Sequence, residues 1–180
     1  MKEIGLIIAL LISWSTFSQR DLTPSKKSQA FGSRDFRNLN NYGIQFQLGP
    51  TYTLTRLDKN NRTKDEDLKM IHFAHASRFH WEQSGAPILN LVRGDWQVSR
   101  VYSVLGLGES ALYHANICYE KTIDHKIGDF DLVFAYESMA NAYKVLNNKK
   151  LMNEYLELGY IAIDQVKKED DKKYCLDELD

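Results

Sequence analysis

Residues 91–105 read LVRGDWQVSRVYSVL, and residues 132–146, which begin 41 positions later, read LVFAYESMANAYKVL. The matched pairs are Leu91 with Leu132, Val92 with Val133, Ser99 with Ala140, Tyr102 with Tyr143, Val104 with Val145, Leu105 with Leu146 and, further on, Tyr119 with Tyr160. Apolar residues at steps of three and four are typical of the buried face of a helix. A fixed repeat period indicates an array of helix hairpins, each packed on the next. The sequence therefore predicts an all-α helical bundle built from repeated hairpins.

Helix signals fill the chain around these two segments. The predicted helices are Asp65–Ser84, Leu89–Leu105, Glu109–His125, Phe130–Leu146 and Lys150–Lys168, followed by a short frayed piece to Leu179. Short polar side chains cap helix starts by accepting free backbone N–H groups. Thr63 or Asp65 is expected to cap the first helix, and Asp129 and Asp131 the fourth. The repeat domain is predicted to span residues 62–180.

The beginning of the chain resembles an export signal. Ile4–Trp14 is an apolar run of eleven residues, preceded by Lys2 and followed by small residues up to Ser18. Such a run is too short for a typical membrane helix and suits a cleaved signal peptide. We expect residues 1–18 to be removed and the protein to be exported, with the periplasm as its compartment. The alternatives are an uncleaved anchor or a cytoplasmic protein.

Residues 19–61 are predicted to be a linker with a strand-like or disordered extension. Within it, residues 42–55 alternate strictly between apolar or Pro and polar or Gly positions, which favours a strand. The motif YGIQFQLGPTY at 42–52 resembles the first strand of outer-membrane β-barrel proteins from Bacteroidetes-type bacteria. No later strands follow it, and one strand cannot close a barrel. A fusion or truncation product of such a protein is therefore one alternative for the chain.

Composition narrows the classes of function. The chain has 180 residues, 43% of them hydrophobic, and a net charge of −1, which does not suit a nucleic-acid-binding protein. Seven basic and three acidic residues between Arg20 and Lys59 give that segment a charge of +4. No segment after the signal is apolar enough for a membrane span. Cys118 and Cys175 match no metal motif, and whether they form a disulfide is left open.

The repeat resembles the tetratricopeptide repeat. In that family the first helix carries an aromatic residue, a small residue four positions later, and a Tyr three positions after that. Tyr136, Ala140 and Tyr143 fit this order, while Ser99 and Tyr102 fit its last two places. The resemblance covers residues 90–165 and implies a binding scaffold of stacked hairpins.

A second resemblance covers residues 62–164. The motifs MIHFAHASRFHW (70–81), RGDWQVSRVY (93–102), ALYHA (111–115) and GDFDL (128–132) are similar to those of a small uncharacterised family of bacterial helical proteins. That resemblance implies a helical fold and leaves the activity open.

One groove is the candidate binding site. Its predicted lining consists of Arg78, His80, Trp96, Arg100, His114 and Glu137. Arginine, histidine and tryptophan together suit a peptide carboxylate or another acidic ligand. The competing interpretation is that these groups form buried ion pairs. The preferred function is a non-catalytic scaffold that binds a protein or peptide, with no cofactor.

A histidine cluster supports the alternative of a metal-dependent sensor or small-molecule enzyme. His72 and His75 stand at an i, i+3 spacing, and His114 can join them only through tertiary folding. His80 points about 140° away from His75 around an ideal helix. The His-Glu-x-x-His motif is absent from the sequence. We therefore expect no metal, with His72 and His75 as the first candidates otherwise and Glu137 as the acid–base group of such an enzyme.

Overall fold

The computed structural model of the chain describes Leu57 and residues 61–179. These residues form an all-α bundle, which confirms the predicted fold class. The six helices are α1 (Lys64–Gln83), α2 (Ile88–Val104), α3 (Gly108–Asp124), α4 (Phe130–Val145), α5 (Lys149–Ile163) and α6 (Glu169–Leu179). Across the described part of the chain, no helix is long and apolar enough to span a bilayer. The predicted signal at 1–18 and the predicted strand at 42–55 lie outside the described residues.

The helix starts follow from local capping chemistry. Thr63 forms a capping box with Glu66: the Thr63 hydroxyl accepts from the Glu66 N–H at 3.2 Å, and the Glu66 carboxylate accepts from the Thr63 N–H at 2.9 Å. Asp129 caps α4 by accepting from the Phe130 N–H at 3.0 Å. The prediction that Asp131 is also a cap is wrong. Its carboxylate pairs with Arg93 of α2 instead.

The predicted fifth helix is too long at its end. The structure ends α5 at Ile163, and turn bonds from Gln165 to Ala162 and from Val166 to Ile163 follow at 3.0 Å each. Val166 is buried in one apolar cluster with Ile163 and with residues of α6. Packing of Val166 into that core therefore turns the chain where the polar–apolar pattern alone predicted a continuous helix.

The backbone repeats with the same period as the sequence. Left-handed residues end α1 and α3 at Gly85 (φ 68°) and Lys126 (φ 52°), which are 41 positions apart. They also end α2 and α4 at Gly106 (φ 73°) and Asn147 (φ 58°), again 41 positions apart. After each of the four, the next N–H bonds the carbonyl five residues earlier, at 2.9 to 3.1 Å. This is the Schellman turn, whose left-handed position costs least for Gly or Asn.

The helices form two rows. α2, α4 and α6, which we call the first helices, contact one another in that order, and each helix also packs on its neighbours in the chain. α1, α3 and α5 are the second helices. Ser77, Cys118 and Gly159 stand at successive 41-residue steps along the second helices and are all buried. Small side chains at this position let each second helix approach the first helices closely.

Apolar clusters fill the spaces between the helices. Leu57, only 7% exposed, packs with Met70 and Ala74 of α1 and with residues of α2. Cys118 belongs to a cluster between α2, α3 and α4, and Cys175 to another between α4, α5 and α6. Both thiols are free and buried. Burial raises the pKa of the Cys175 thiol to about 12, and it raises that of Cys118 as well, so neither is a reactive thiolate at neutral pH.

Candidate functional site

α2 divides the predicted groove residues between two sites. Arg93, Trp96 and Arg100 lie at steps of three and four along α2 and contact α4. We call these three residues the inner row. Asp95 and Tyr102 lie on another side of α2 and contact residues of α1 and α3. The structure therefore does not bring all six predicted residues into one groove.

The first contact of the inner row is an ion pair. Arg93 donates from Nε and Nη2 to the two carboxylate oxygens of Asp131, at 2.6 and 2.8 Å. Its guanidinium also lies 4.8 Å from the centre of the Phe130 ring. Two parallel bonds of this kind fix both direction and distance. This pair therefore sets the register of α2 against the start of α4.

Glu137 of α4 is the shared acceptor for two residues of the inner row. Its carboxylate accepts from the Trp96 indole N–H at 2.8 Å, from Arg100 Nη1 and from the Asn141 amide. Glu137 is only 2% exposed. Burial raises the pKa of its carboxyl group, and the bonds from Arg100 and Trp96 offset part of that rise. A buried carboxylate with this many donors is a satisfied structural anchor.

Arg100 also reaches α6. Its Nη2 lies 2.6 Å from the Glu178 carboxylate. Burial opposes the charged form of Arg100, but Glu137 and Glu178 outweigh it and hold the pKa of the guanidinium above its usual value. The guanidinium carbon lies 5.9 Å from the centre of the Trp96 ring. The inner row is thus closed by partners that belong to the chain itself.

The second site joins α1, α2 and α3 through Asp95. The two oxygens of this buried carboxylate accept from Arg78 Nε at 2.8 Å and from Lys121 Nζ at 2.6 Å. Arg78 also bonds Glu82, one turn further along α1, at 3.3 Å. Arg78 is therefore held in ion pairs on two sides.

Two of the histidines meet beside this carboxylate. His75 Nε2 and the Tyr102 hydroxyl are 2.9 Å apart, and the His75 and His114 ring centres are 5.2 Å apart. The Tyr102 and His114 rings stack at 5.8 Å. Burial lowers the pKa of both histidines. His72 lowers the pKa of His75 further and His75 that of His114, while Asp95 offsets part of both shifts. Both rings are therefore held in the neutral form at pH 7.

The other two histidines of the predicted cluster, His72 and His80, do not complete a metal site. His72 is exposed, and the His80 ring lies 5.7 Å from that of Phe79. Among the described residues, no group of three His, Cys, Asp or Glu side chains is arranged to hold a metal ion. Tertiary folding does bring His114 to one histidine of α1, His75. It yields a pair of imidazoles with a tyrosine.

An exposed apolar surface on the second helices was not predicted from the sequence. Among the described residues, ten large hydrophobic side chains are exposed, and seven of them lie on α1, α3 and α5. Leu68 and Phe79 of α1 are 52% and 55% exposed, while Leu107 and Tyr113, at the start of α3, are 46% and 64% exposed. We call these four residues the outer face. The signal that could have found them was a large apolar residue on the polar side of a predicted helix.

The His75–His114 contact sets the register of this face. Leu68 precedes His75 by seven residues within α1, and Leu107 precedes His114 by seven, at the residue just before α3 begins. Tyr113 directly precedes His114, and their rings lie 5.2 Å apart. Tyr113 of the outer face therefore lies directly against the histidine pair.

No protein-family model, curated protein or solved structure matches this chain. A function for it has to come from its own geometry. That geometry consists of a closed inner row, a buried cluster with two histidines, and an exposed outer face.

Proposed function

We propose that the chain is a non-catalytic helical-repeat scaffold that binds a protein or peptide through its outer face. The observation that carries this proposal is the exposure of Leu68, Phe79, Leu107 and Tyr113, each at least 46% accessible. Single exposed apolar residues are common on soluble proteins, but a group of them on neighbouring elements is typical of an interaction site. Aromatic residues at the centre of such a group supply most of the binding free energy.

The inner row is the weaker candidate for a protein interface. Arg93 already has both its bonds to Asp131, and Glu137 already has three donors. A partner that used Arg93 or Glu137 would have to break a buried ion pair, which is strongly unfavourable. The outer face needs no such exchange because its side chains already face the solvent.

The buried cluster supports the outer face mechanically. Asp95 ties Arg78 of α1 to Lys121 of α3, and the His75 and His114 rings are in contact between the same two helices. Side chains presented by rigid elements lose less conformational entropy on binding than those on loops. Phe79 and Tyr113 are therefore suited to act as fixed anchors for a partner.

The proposal extends to the repeat class and the compartment. The hairpins are tetratricopeptide-like, supported by the 41-residue period and by Tyr136, Ala140 and Tyr143 in the order of that family. The partner is met after export, as the apolar run at 4–14 suggests. No catalytic step and no metal belong to this function.

Site-specific photocrosslinking in the producing cells tests the outer face. A benzophenone amino acid replaces Tyr113 in one variant and Ile161 of α5, which is 58% exposed, in the matched control. We expect an adduct with one protein at position 113 and none with that protein at position 161. The recovered protein must then bind the purified chain directly. Identical adducts at both positions, or no direct binding, would contradict the proposal.

A further inference from the structure

Arg100 is paired with two carboxylates, although one would balance its charge. Glu137 lies on one edge of the guanidinium and Glu178 on the other, so two carboxylates share one cation. A carboxylate near a second one is disfavoured in its charged form, and an ion pair in a partly buried site has a small net value once desolvation is counted.

The two carboxylates differ in their surroundings. The side chain of Glu137 is 2% exposed, whereas those of Arg100 and Glu178 are each 19% exposed. The Nη1 edge of Arg100 therefore faces the interior, and its Nη2 edge lies near the solvent. A carboxylate from outside can reach only the edge that Glu178 now occupies.

α6 does not depend on Glu178 for its position. Cys175 and Leu179 of α6 are 0% and 6% exposed in a cluster with Val133 and Ile163. The Tyr174 ring lies 5.7 Å from that of Phe134. Apolar burial of this kind holds a helix in place without any ion pair. Turning the Glu178 side chain away breaks its bonds to Arg100 and to the Tyr174 hydroxyl, but it leaves this apolar packing of α6 in place.

A row of aromatic rings begins beside the guanidinium. The Trp96 and Phe134 rings lie 5.2 Å apart, and Tyr174 continues the row on α6. Arg100 lies over the Trp96 ring, which restricts its rotation. A fixed guanidinium with an aromatic wall is the arrangement that selects a planar carboxylate by direction as well as charge.

We propose that the Nη2 edge of Arg100 is a carboxylate-binding subsite and that Glu178 is its internal occupant. A carboxylate of a peptide ligand, from an acidic side chain or from the chain end, takes the place of Glu178 when that side chain turns into the solvent. This subsite uses no residue of the outer face. The subsite proposal is therefore independent of the proposed protein partner.

Competition with Glu178 sets the expected affinity. The tethered carboxylate is present at a high effective concentration, so an external carboxylate binds only to the fraction of molecules in which Glu178 has turned away. If that fraction is about one tenth, removing the Glu178 carboxylate tightens binding about tenfold. The test is therefore a gain of binding, which a simple loss of folding does not imitate.

The experiment titrates the full chain with acetate and compares it with chloride at equal ionic strength. The readouts are the melting temperature and the Trp96 indole N–H resonance, because that N–H bonds Glu137 beside Arg100. The variants are Glu178→Ala and Glu178→Gln, so that one remains if the other folds poorly. Glu157→Ala, which removes an exposed carboxylate of α5, is the matched control.

We expect acetate to raise the melting temperature and shift the Trp96 resonance in both Glu178 variants, with about tenfold tighter binding than in the wild-type chain or the control. Three acetylated peptides then separate the sources: one with a free carboxyl end, one amidated, and one amidated with an internal glutamate. Binding by the first alone assigns the chain end, and binding by the third assigns a side chain. Equal effects of acetate and chloride in both Glu178 variants would overturn the subsite.

Discussion

Trp96 donates its indole N–H to Glu137, the residue that stands 41 positions later at the same place in the next first helix, over 2.8 Å. Glu178 lies a further 41 positions along, in α6, and pairs with Arg100 beside them. Arg100 contacts the side chains at all three equivalent positions and so connects them into one row through α2, α4 and α6. In a stacked array each unit is stabilised mainly by its neighbours, so this row couples the three helices.

Removing the centre of that row should be strongly destabilising. Glu137→Ala leaves Trp96, Asn141 and one edge of Arg100 without their buried acceptor. Breaking a buried pair by deleting one partner typically costs about 3–5 kcal/mol. Urea unfolding measures this loss, and Glu157→Ala on the exposed side of α5 should stay within about 0.5 kcal/mol of wild type. Equal, small effects for both variants would mean that Glu137 is no anchor.

Tyr102 and Tyr143 should both contribute strongly to stability, and only the Tyr102 hydroxyl should add a hydrogen bond. Tyr102→Ala and Tyr143→Ala each remove a core-packing ring and should each cost about 3 kcal/mol. The Tyr102 hydroxyl bonds His75, whereas the Tyr143 ring stacks on Tyr155 at 5.7 Å. Tyr102→Phe should therefore cost about 1 kcal/mol more than Tyr143→Phe in chemical unfolding. A large difference between the two Ala variants would contradict their equivalence in the repeat.

Stability should fall as the solution becomes mildly acidic. The pKa values of His75 and His114 are lowered in the folded chain from 6.5, first by burial. The next lowering cause is His72 for His75, and His75 for His114. Below about pH 6.5 the unfolded chain therefore takes up protons that the folded chain does not. The stability that the neutral histidines contribute is lost as the pH falls towards their pKa values in the folded chain. The groups facing the pair are His72, Arg78, Asp95, Tyr102 and Lys121.

The raised pKa values of Asp131 and Glu137, caused first by burial, act in the opposite direction. The informative quantity is therefore the difference between wild type and His114→Asn. Urea titrations at several pH values should give the variant a shallower loss of stability on acidification. An identical slope for both proteins would show that the histidine pair does not titrate with unfolding.

The start of α3 should tolerate no added side chain. A Cβ at Gly108 would lie 2.7 Å from Leu146 Cδ2 and 2.8 Å from Leu146 Cγ. Forcing an extra methyl group into such a contact typically costs about 1–3 kcal/mol. Gly128→Ala is the matched control, since nothing lies within 4 Å of its Cβ position. Thermal melts of the two variants should separate clearly, and equal melting temperatures would place α3 further from α4 than the structure does.

Local signals in the sequence placed most helices accurately. The first four predicted helices lie within one residue of α1 to α4 at each end, because caps, Gly and Asn act over a few residues. The end of α5 was wrong because burial of Val166 is a tertiary effect. The pairing of Arg100 with Glu178 joins residues 78 positions apart, and no local pattern encodes it.

The division of the candidate residues between two sites was also not predicted, because it too depends on tertiary contacts. Periodicity gives the angular position of a residue on its own helix but not which neighbour each side faces. Arg78 and Arg100 are both on predicted helices, yet one pairs with Asp95 and the other with Glu137. Phe79 and Tyr113 were assigned no binding role because apolar residues are usually buried, and their exposure emerged only with the packing of α1 and α3.

The affinity of the crosslinked partner for outer-face variants tests the central claim most directly. Phe79→Ser combined with Tyr113→Ser removes both aromatic anchors, and Leu158→Ser combined with Ile161→Ser removes two exposed apolar residues of α5 as the control. Calorimetric titration should show binding weakened more than tenfold by the first pair, as the loss of about 2 kcal/mol or more at an anchor implies, and unchanged by the second. Equal affinity for the wild-type chain and the Phe79/Tyr113 variant, with both folded, would contradict the account.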